Sequence, residues 1–223
     1  MALSYRARSN QHTGFFPYGT QSVCLSYELP GGEWKLPETL VGKPLYGIVE
    51  LGDRKHLTIL DKENESDDFY NRFRLDANAN RDLTDDRIYS GPAGKGRSHR
   101  YTAIGRIPVT VMLQGKELPY VFGVSVYAPL RPGKDAAEGP DVRFIDFYMN
   151  AHSCYEGTFK LEGAEYKVWL GDGNANGRFD DFFVPMPNRQ EDPIYGLGDY
   201  LYMGATDEKI GYWHQQALGR HLV

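Results

Sequence analysis

LYGIVELGDRKHLTIL, Leu45 to Leu60, holds two apolar runs, Leu45–Leu51 and His56–Leu60, joined by Gly52-Asp53-Arg54-Lys55. Short β-branched and leucine-rich runs on either side of a Gly-Asp pair read as a β-hairpin. The same texture continues downstream at Phe69–Leu75, Tyr101–Ala103, Ile107–Leu113, Tyr120–Tyr127, Val142–Met149, Gly157–Leu161 and Tyr166–Leu170. Gln114-Gly115-Lys116 and Gly163 supply turns between neighbouring runs. Many short strands with regular turn residues predict a mainly β protein, either a β-sandwich or two packed small β units.

Upstream of the hairpin, residues 1–40 read as an arm. It holds a strand within Ser22–Leu29 and a turn at Leu29-Pro-Gly-Gly-Glu, and Phe15, Phe16, Tyr18 and Trp34 pack it on the core. Residues 41–223 then form the β-rich domain, with two similar halves at about 41–130 and 140–223 as a further possibility. At most one short C-terminal helix is expected, over Asp207–Leu222. There Thr206 is the N-cap, and Ile210, Trp213, Leu218 and Leu222 give an apolar face. A strand at Lys209–His214 is the competing reading.

Asp172–Asp181 reads DGNANGRFDD. Oxygen-bearing side chains stand at the first, third and fifth places, Asp172, Asn174 and Asn176. Gly177 follows, and Asp180 and Asp181 end the stretch. Asp76–Asp86 repeats the pattern as DANANRDLTDD. Asp76, Asn78 and Asn80 match the first three ligand positions, and Thr84 and Asp85 match Asp180 and Asp181. Arg81 stands where the second loop has glycine, and Asp82 and Asp86 are further carboxylates. Alternate oxygens in a tight loop suit Ca²⁺, which takes six to eight oxygens at about 2.3–2.6 Å. Arg178 takes part through its backbone carbonyl. Converging carboxylates repel one another, by roughly 4 kcal/mol for unit charges about 4 Å apart at intermediate dielectric, unless a cation lies between them. The competing reading is a pair of ordinary Asx-rich turns.

These loops resemble the calcium loops of EF-hand and dockerin-type proteins through the D-x-[DN]-x-[DN]-G pattern. The resemblance covers about ten residues each time and departs from the EF-hand at the twelfth place. Arg87 and Phe183 stand there instead of the bidentate glutamate. No helix-loop-helix is therefore expected, and Asp85/Asp86 and Asp180/Asp181 take over the carboxylate role. A second internal similarity pairs Gly47–Leu60 with Gly157–Leu170, each a strand, a turn and a strand, followed by acidic or amide residues.

The charge of −5 leaves no electrostatic footprint for nucleic acid. No apolar run approaches a membrane span, and Met1–Arg8 shows no apolar leader. Cys24 and Cys154 are either one bridge or two free thiols. Local signatures for zinc hydrolysis, a nucleophile elbow or a phosphate loop are missing, and Gly91–Ser98 fails the last by its spacing. The expected function is a calcium-binding, non-enzymatic structural or interaction module with Ca²⁺ stabilising the fold. Its partner would be a protein or polysaccharide, with self-assembly as a further option. Asn at the third and fifth places lowers ligand charge, which favours millimolar calcium and an extracellular, cell-surface or periplasmic setting. The alternatives are a carbohydrate-active hydrolase and a carbohydrate-binding module, each with structural calcium. A hydrolase requires an acid pair in a cleft, with Glu50 and Asp146 as strand-borne acids. Tyr18, Trp34, Trp169 and Trp213 would suit sugar stacking in such an enzyme, whereas a binding module requires a flat row of exposed aromatics and no such acid pair.

Overall fold

The computed structural model describes residues 3–8, 19–130, 141–181, 184–185, 196–197, 199–205 and 215–217. The chain divides into two compact units. One is Gln21–Asn150, and the other joins Met1–Thr20 to Ala151–Val223. The segment 1–40, read from sequence as one arm, is thus shared between the units.

In the first unit, β3 (Leu25–Ser26), β4 (Leu45–Leu51), β5 (Arg54–Asp61), β6 (Arg72–Leu75) and β7 (Ile88–Ser90) form one sheet in chain order. A second sheet holds β2 (Thr20–Ser22), β11 (Asp146–Ala151), β10 (Lys116–Pro129), β9 (His99–Leu113) and β8 (Ala93–Lys95), in that spatial order. The two sheets meet through aromatic side chains. Phe73 of β6 lies 6.0 Å from Phe147 of β11 and 6.3 Å from Phe122 of β10, between ring centroids. Thr102 Oγ1 of β9 donates to the Tyr70 carbonyl. The unit is a β-sandwich, as the alternating apolar runs anticipate.

The β4–β5 hairpin turns at Gly52-Asp53, with Leu51 opposite Arg54. From His56 to Asp61, β5 is buried at every residue. One face of β5 points into the sandwich. On the other face Leu57 and Ile59 cluster with Tyr46 and Leu83, roofed by Trp34, Leu36, Leu40 and Ile48. The segment carrying Trp34 therefore covers the outer side of the hairpin, as its aromatic anchor suggests. Asp61 ends β5 fully buried and pairs with Arg72 of β6 through both carboxylate oxygens.

Two sequence readings change here. Tyr101–Ala103 and Ile107–Leu113 are one long strand, because Gly105-Arg106 forms a bulge, with Arg106 at φ 56°, instead of a turn. Val142–Phe144 is a single 3-10 turn capped by Asp141, and the strand begins only at Asp146.

The other unit carries β1 (Ser4–Ala7), β12 (Ser153–Leu161), β13 (Ala164–Gly171), β16 (Tyr200–Ala205) and β17 (Gln215–Ala217), in that spatial order. β14 (Val184–Pro185) and β15 (Gly196–Leu197) pair separately. Each unit thus contains a hairpin followed by an acidic segment and a third antiparallel strand: β4, β5, β6 in one and β12, β13, β16 in the other. The helical pattern over Asp207–Leu222 enters the described residues only at Gln215–Ala217, and there the backbone is a strand on β16. The alternative strand at 209–214 lies outside the described residues, as do Phe15, Phe16, Tyr18 and Trp213. Among the described residues, no helix is long and apolar enough to cross a membrane.

Candidate functional site

The loop at Asp76 follows β6, and the loop at Asp172 follows β13. Their backbones share one signature. The fourth residues, Ala79 and Ala175, have φ of 57° and 53°, and the sixth, Arg81 and Gly177, have φ of 67° and 77°. Glycine adopts that last conformation without steric cost, whereas an L side chain is strained there. Arg81 is nevertheless held in it. Its carbonyl accepts from Lys35 N at 2.9 Å, and its guanidinium lies 5.6 Å from the Trp34 ring.

The hydrogen bonds also match place by place. Asp76 and Asp172, each about 1% exposed, accept the N–H groups of the fifth and sixth residues through opposite carboxylate oxygens: Asn80 and Arg81 in one loop, Asn176 and Gly177 in the other. At the fifth place, the amide oxygens of Asn80 and Asn176 accept the N–H two residues on, from Asp82 and Arg178. Their amide nitrogens donate to Asp85 and Asp181, at 3.0 and 2.6 Å. The eighth residue is apolar in both: Leu83 is fully buried, and Phe179 packs edge-on against Tyr155 with centroids 4.9 Å apart.

The N–H of the second residue reveals a carboxylate that the sequence reading missed. Ala77 donates to Asp86 Oδ1 at 3.0 Å. In the other loop Gly173 donates to Asp199 Oδ1 at 3.1 Å, and Asp199 Oδ2 takes the N–H of Asp181 at 2.8 Å. Asp199 thus occupies the place of Asp86, although it arrives from the start of β16. Nothing in the local motif marks it. Only the pairing of β16 with β13 brings it there.

Burial pushes the Asp199 carboxyl up to about 8, helped by the charge of Asp172 and opposed by the two N–H donors. Burial likewise raises Asp86 to about 6, against the Ala77 N–H and with Asp76 and Asp85 adding repulsion. Asp82 goes the other way. The Lys35 ammonium, 2.7 Å away, and the Thr84 donors hold it down at about 2.

Other expected ligands are placed less directly. Asp180 is exposed and turns to Arg178, with Nε at 3.1 Å. Asn78 Oδ1 accepts the Asn80 N–H, whereas Asn174 Oδ1 is buried without any hydrogen-bond partner. Asp86 Oδ2 is also buried and unpartnered. Among the described residues no three His, Cys, Asp or Glu side chains form a metal-holding group. The oxygen set of each loop instead mixes carboxylates, amides and the carbonyl of the seventh residue, Asp82 or Arg178.

The lone pairs of that set suit an oxygen-seeking cation. Each fifth-place amide oxygen has one lone pair engaged by backbone and one left over. Asn174 Oδ1 has no donor at all, and a buried acceptor without a donor carries a desolvation cost that a cation relieves. The donor chemistry fits Ca²⁺ in kind: hard oxygens of low total charge.

Of the expected aromatic candidates, Tyr18 and Trp213 lie outside the described residues. Trp34 is half-buried against the hairpin cluster, and Trp169 is 5% exposed. Cys24 is exposed and Cys154 buried, and both are free thiols. Comparison with known protein families, curated proteins and solved structures finds no match to this chain.

Proposed function

We propose that this protein is a calcium-binding, non-enzymatic structural and interaction module, in which Ca²⁺ in the two acidic loops stabilises the fold. The observation that carries the reading is the shared loop scaffold, together with the buried, donorless oxygen of Asn174. The EF-hand and dockerin-type resemblance of the ten-residue patterns supports it. Asp172, Asn174, Asn176, the Arg178 carbonyl and Asp181 would hold the ion in one loop. Asp76, Asn78, Asn80, the Asp82 carbonyl and Asp85 would do so in the other. Asp86 and Asp199 pin the starts of the loops. A bound ion supplies positive charge where the carboxylates converge, and the amide–carboxylate hydrogen bonds of Asn80 and Asn176 hold the same groups together without it.

The role of the ion is mechanical. Binding only the folded state adds RT ln(1 + [L]/Kd), about 2.7 kcal/mol at a hundredfold excess over Kd. Amide ligands at the third and fifth places suit millimolar calcium, and hence an extracellular, cell-surface or periplasmic site of action. The test is a thermal melt in EDTA, in millimolar Ca²⁺ and in millimolar Mg²⁺. The expected result is a rise of about 5–10 °C with Ca²⁺ and little with Mg²⁺. No rise with Ca²⁺ returns both loops to the status of Asx-rich turns.

A further inference from the structure

We propose that the cleft between β5 and the far end of the β9–β10 ribbon binds a small aliphatic amine, whose ammonium group is taken by His56 Nε2 and Asp86 Oδ2. The cleft lies beside the first calcium loop, within the Gln21–Asn150 unit, and needs no bound ion.

The cleft encloses about 700 Å³. One wall is Arg54 and His56 of β5 with Asp86 at the end of the first loop, and the other is formed by β9 and β10 beyond the bulge at Arg106. The two walls are fixed to each other. The Asp53 N–H at the hairpin tip donates to the Met112 carbonyl at 2.8 Å, and the Gln114 N–H donates to the Asp53 carboxylate. Gly52 permits this approach, since a Cβ there would stand 2.1 Å from the Met112 oxygen. The spacing of the walls is therefore set by backbone and not by the chance position of a long side chain.

Two unsatisfied acceptors line this space. His56 is 3% exposed. Its Nδ1 lies 2.7 Å from the Asp76 carbonyl oxygen, which can only accept, so Nδ1 carries the hydrogen. In the neutral ring Nε2 is then a bare acceptor, and it is buried with no hydrogen-bond partner. Asp86 gives Oδ1 to the Ala77 N–H, and its Oδ2 is likewise buried and unpartnered. Two acceptors cannot satisfy each other. Each carries the desolvation cost of a buried polar atom without a donor, and a ligand with several donors on one atom relieves both.

Charge and shape choose that ligand. The lining carries two carboxylates, Asp86 and Glu117, against one guanidinium, Arg54, which is turned to the Asn78 carbonyl at 3.2 Å. The balance favours a cation. An ammonium has three N–H donors pointing in different directions, enough for both acceptors and a water. A metal ion is served less well, because among the described residues no third His, Cys, Asp or Glu joins the pair. Pro108, Met112 and Pro119 on the opposite wall offer methylenes to an alkyl chain. An apolar cleft with a few convergent polar groups is the usual form of a small-molecule site.

The test is isothermal titration of the full chain at pH 7.5 with n-hexylamine, in calcium-free buffer and again in millimolar Ca²⁺, against n-hexanol, hexanoate, tetramethylammonium and Zn²⁺. Saturable binding of hexylamine is expected, about tenfold or more tighter than of hexanol or hexanoate. Lengthening the chain from butylamine should tighten it by about fourfold per buried methylene. Tetramethylammonium, a cation without N–H donors, should not bind, and hexylamine should move the ¹⁵N resonance of His56 Nε2. Asp86→Asn keeps an oxygen for the Ala77 N–H but removes the charge, and it should weaken hexylamine by about tenfold or more. Thr110→Trp, at an exposed position on the opposite wall, fills the cleft without touching the loop. It should weaken binding as much, with the melting temperature nearly unchanged. Glu50→Gln, a change at an exposed acid off the cleft, should have no effect. Binding in calcium-free buffer separates this site from the calcium loops, since either can fail without the other. The proposal is overturned by the absence of saturable hexylamine binding, by hexanoate binding as tightly, by an unmoved His56 resonance, or by binding that survives both cleft variants. Zn²⁺ binding lost in Asp86→Asn, without amine binding, would assign the pair to a metal instead.

Discussion

Replacing Asp199 by Asn is expected to stabilise the calcium-free protein while removing much of its pH dependence. Asp199 is fully buried, and its carboxyl is raised to about 8. In the unfolded chain it titrates near 4. Between those values the folded state holds a proton that the unfolded state has lost, so stability is complete below about pH 4 and falls as pH rises towards 8. At pH 7 the loss covers about three pH units at about 1.4 kcal/mol each, or about 4 kcal/mol. Asparagine removes that term. It also removes an acceptor: Gly173 and Asp181 each donate to a separate oxygen of Asp199, and an amide nitrogen cannot receive the second N–H. That loss costs about 1–3 kcal/mol. The net expectation for Asp199→Asn in EDTA at pH 7 is a gain of about 1–3 kcal/mol by urea denaturation, with a flatter profile between pH 5 and 8. In Ca²⁺ the gain should shrink, because an ion beside Asp172 and Asp181 lets Asp199 ionise and release its proton. A less stable variant in EDTA, or an unchanged pH profile, would refute the reasoning.

Asp172→Ala should lower the calcium-linked rise in melting temperature more than Asp76→Ala does, since Gly177 suits the left-handed sixth place and Arg81 strains it; equal or reversed effects would remove that ranking. Asp61→Asn should destabilise by about 3–5 kcal/mol in chemical denaturation, because it strips the partner from Arg72 at a buried pair. Leu83→Ala should cost about 2–5 kcal/mol in the same assay, as it opens a hole in the hairpin cluster beside the first loop. Iodoacetamide at pH 8 should label Cys24 rapidly and leave Cys154 unmodified, since burial pushes the Cys154 thiol up to about 12.

The hairpins were legible because their turns follow local rules. Gly52-Asp53, Gln114-Gly115 and Glu162-Gly163 each link strands that pair as the apolar runs suggest. The loops were legible for the same reason: one carboxylate takes the N–H groups four and five residues on, which is a property of nearby residues in sequence. Long-range placement was not legible. Asp199 resembles any acid before a strand until β16 pairs with β13. The exposed aromatics failed differently. Tryptophan was the natural guess for a surface aromatic, yet Trp34 is half-buried against the hairpin cluster and Trp169 is buried. The tyrosines that do face out are marked only by their phase, and phase becomes readable once a strand's buried partners are known. The bulge at Gly105-Arg106 hid that phase further by dividing one strand into two apparent pieces.

The reach of Asp199 gives the two loops different histories during synthesis. The loop at Asp76 receives its pinning carboxylate from Asp86, within the same short stretch, so it can close as soon as that stretch has left the ribosome. The loop at Asp172 must wait for a residue 26 positions beyond the N–H that it caps. Until β16 has been made and docked, that N–H has no such cap. A nascent chain stopped before Asp199 would therefore carry one finished loop and one open one, and protease would cut first at the second.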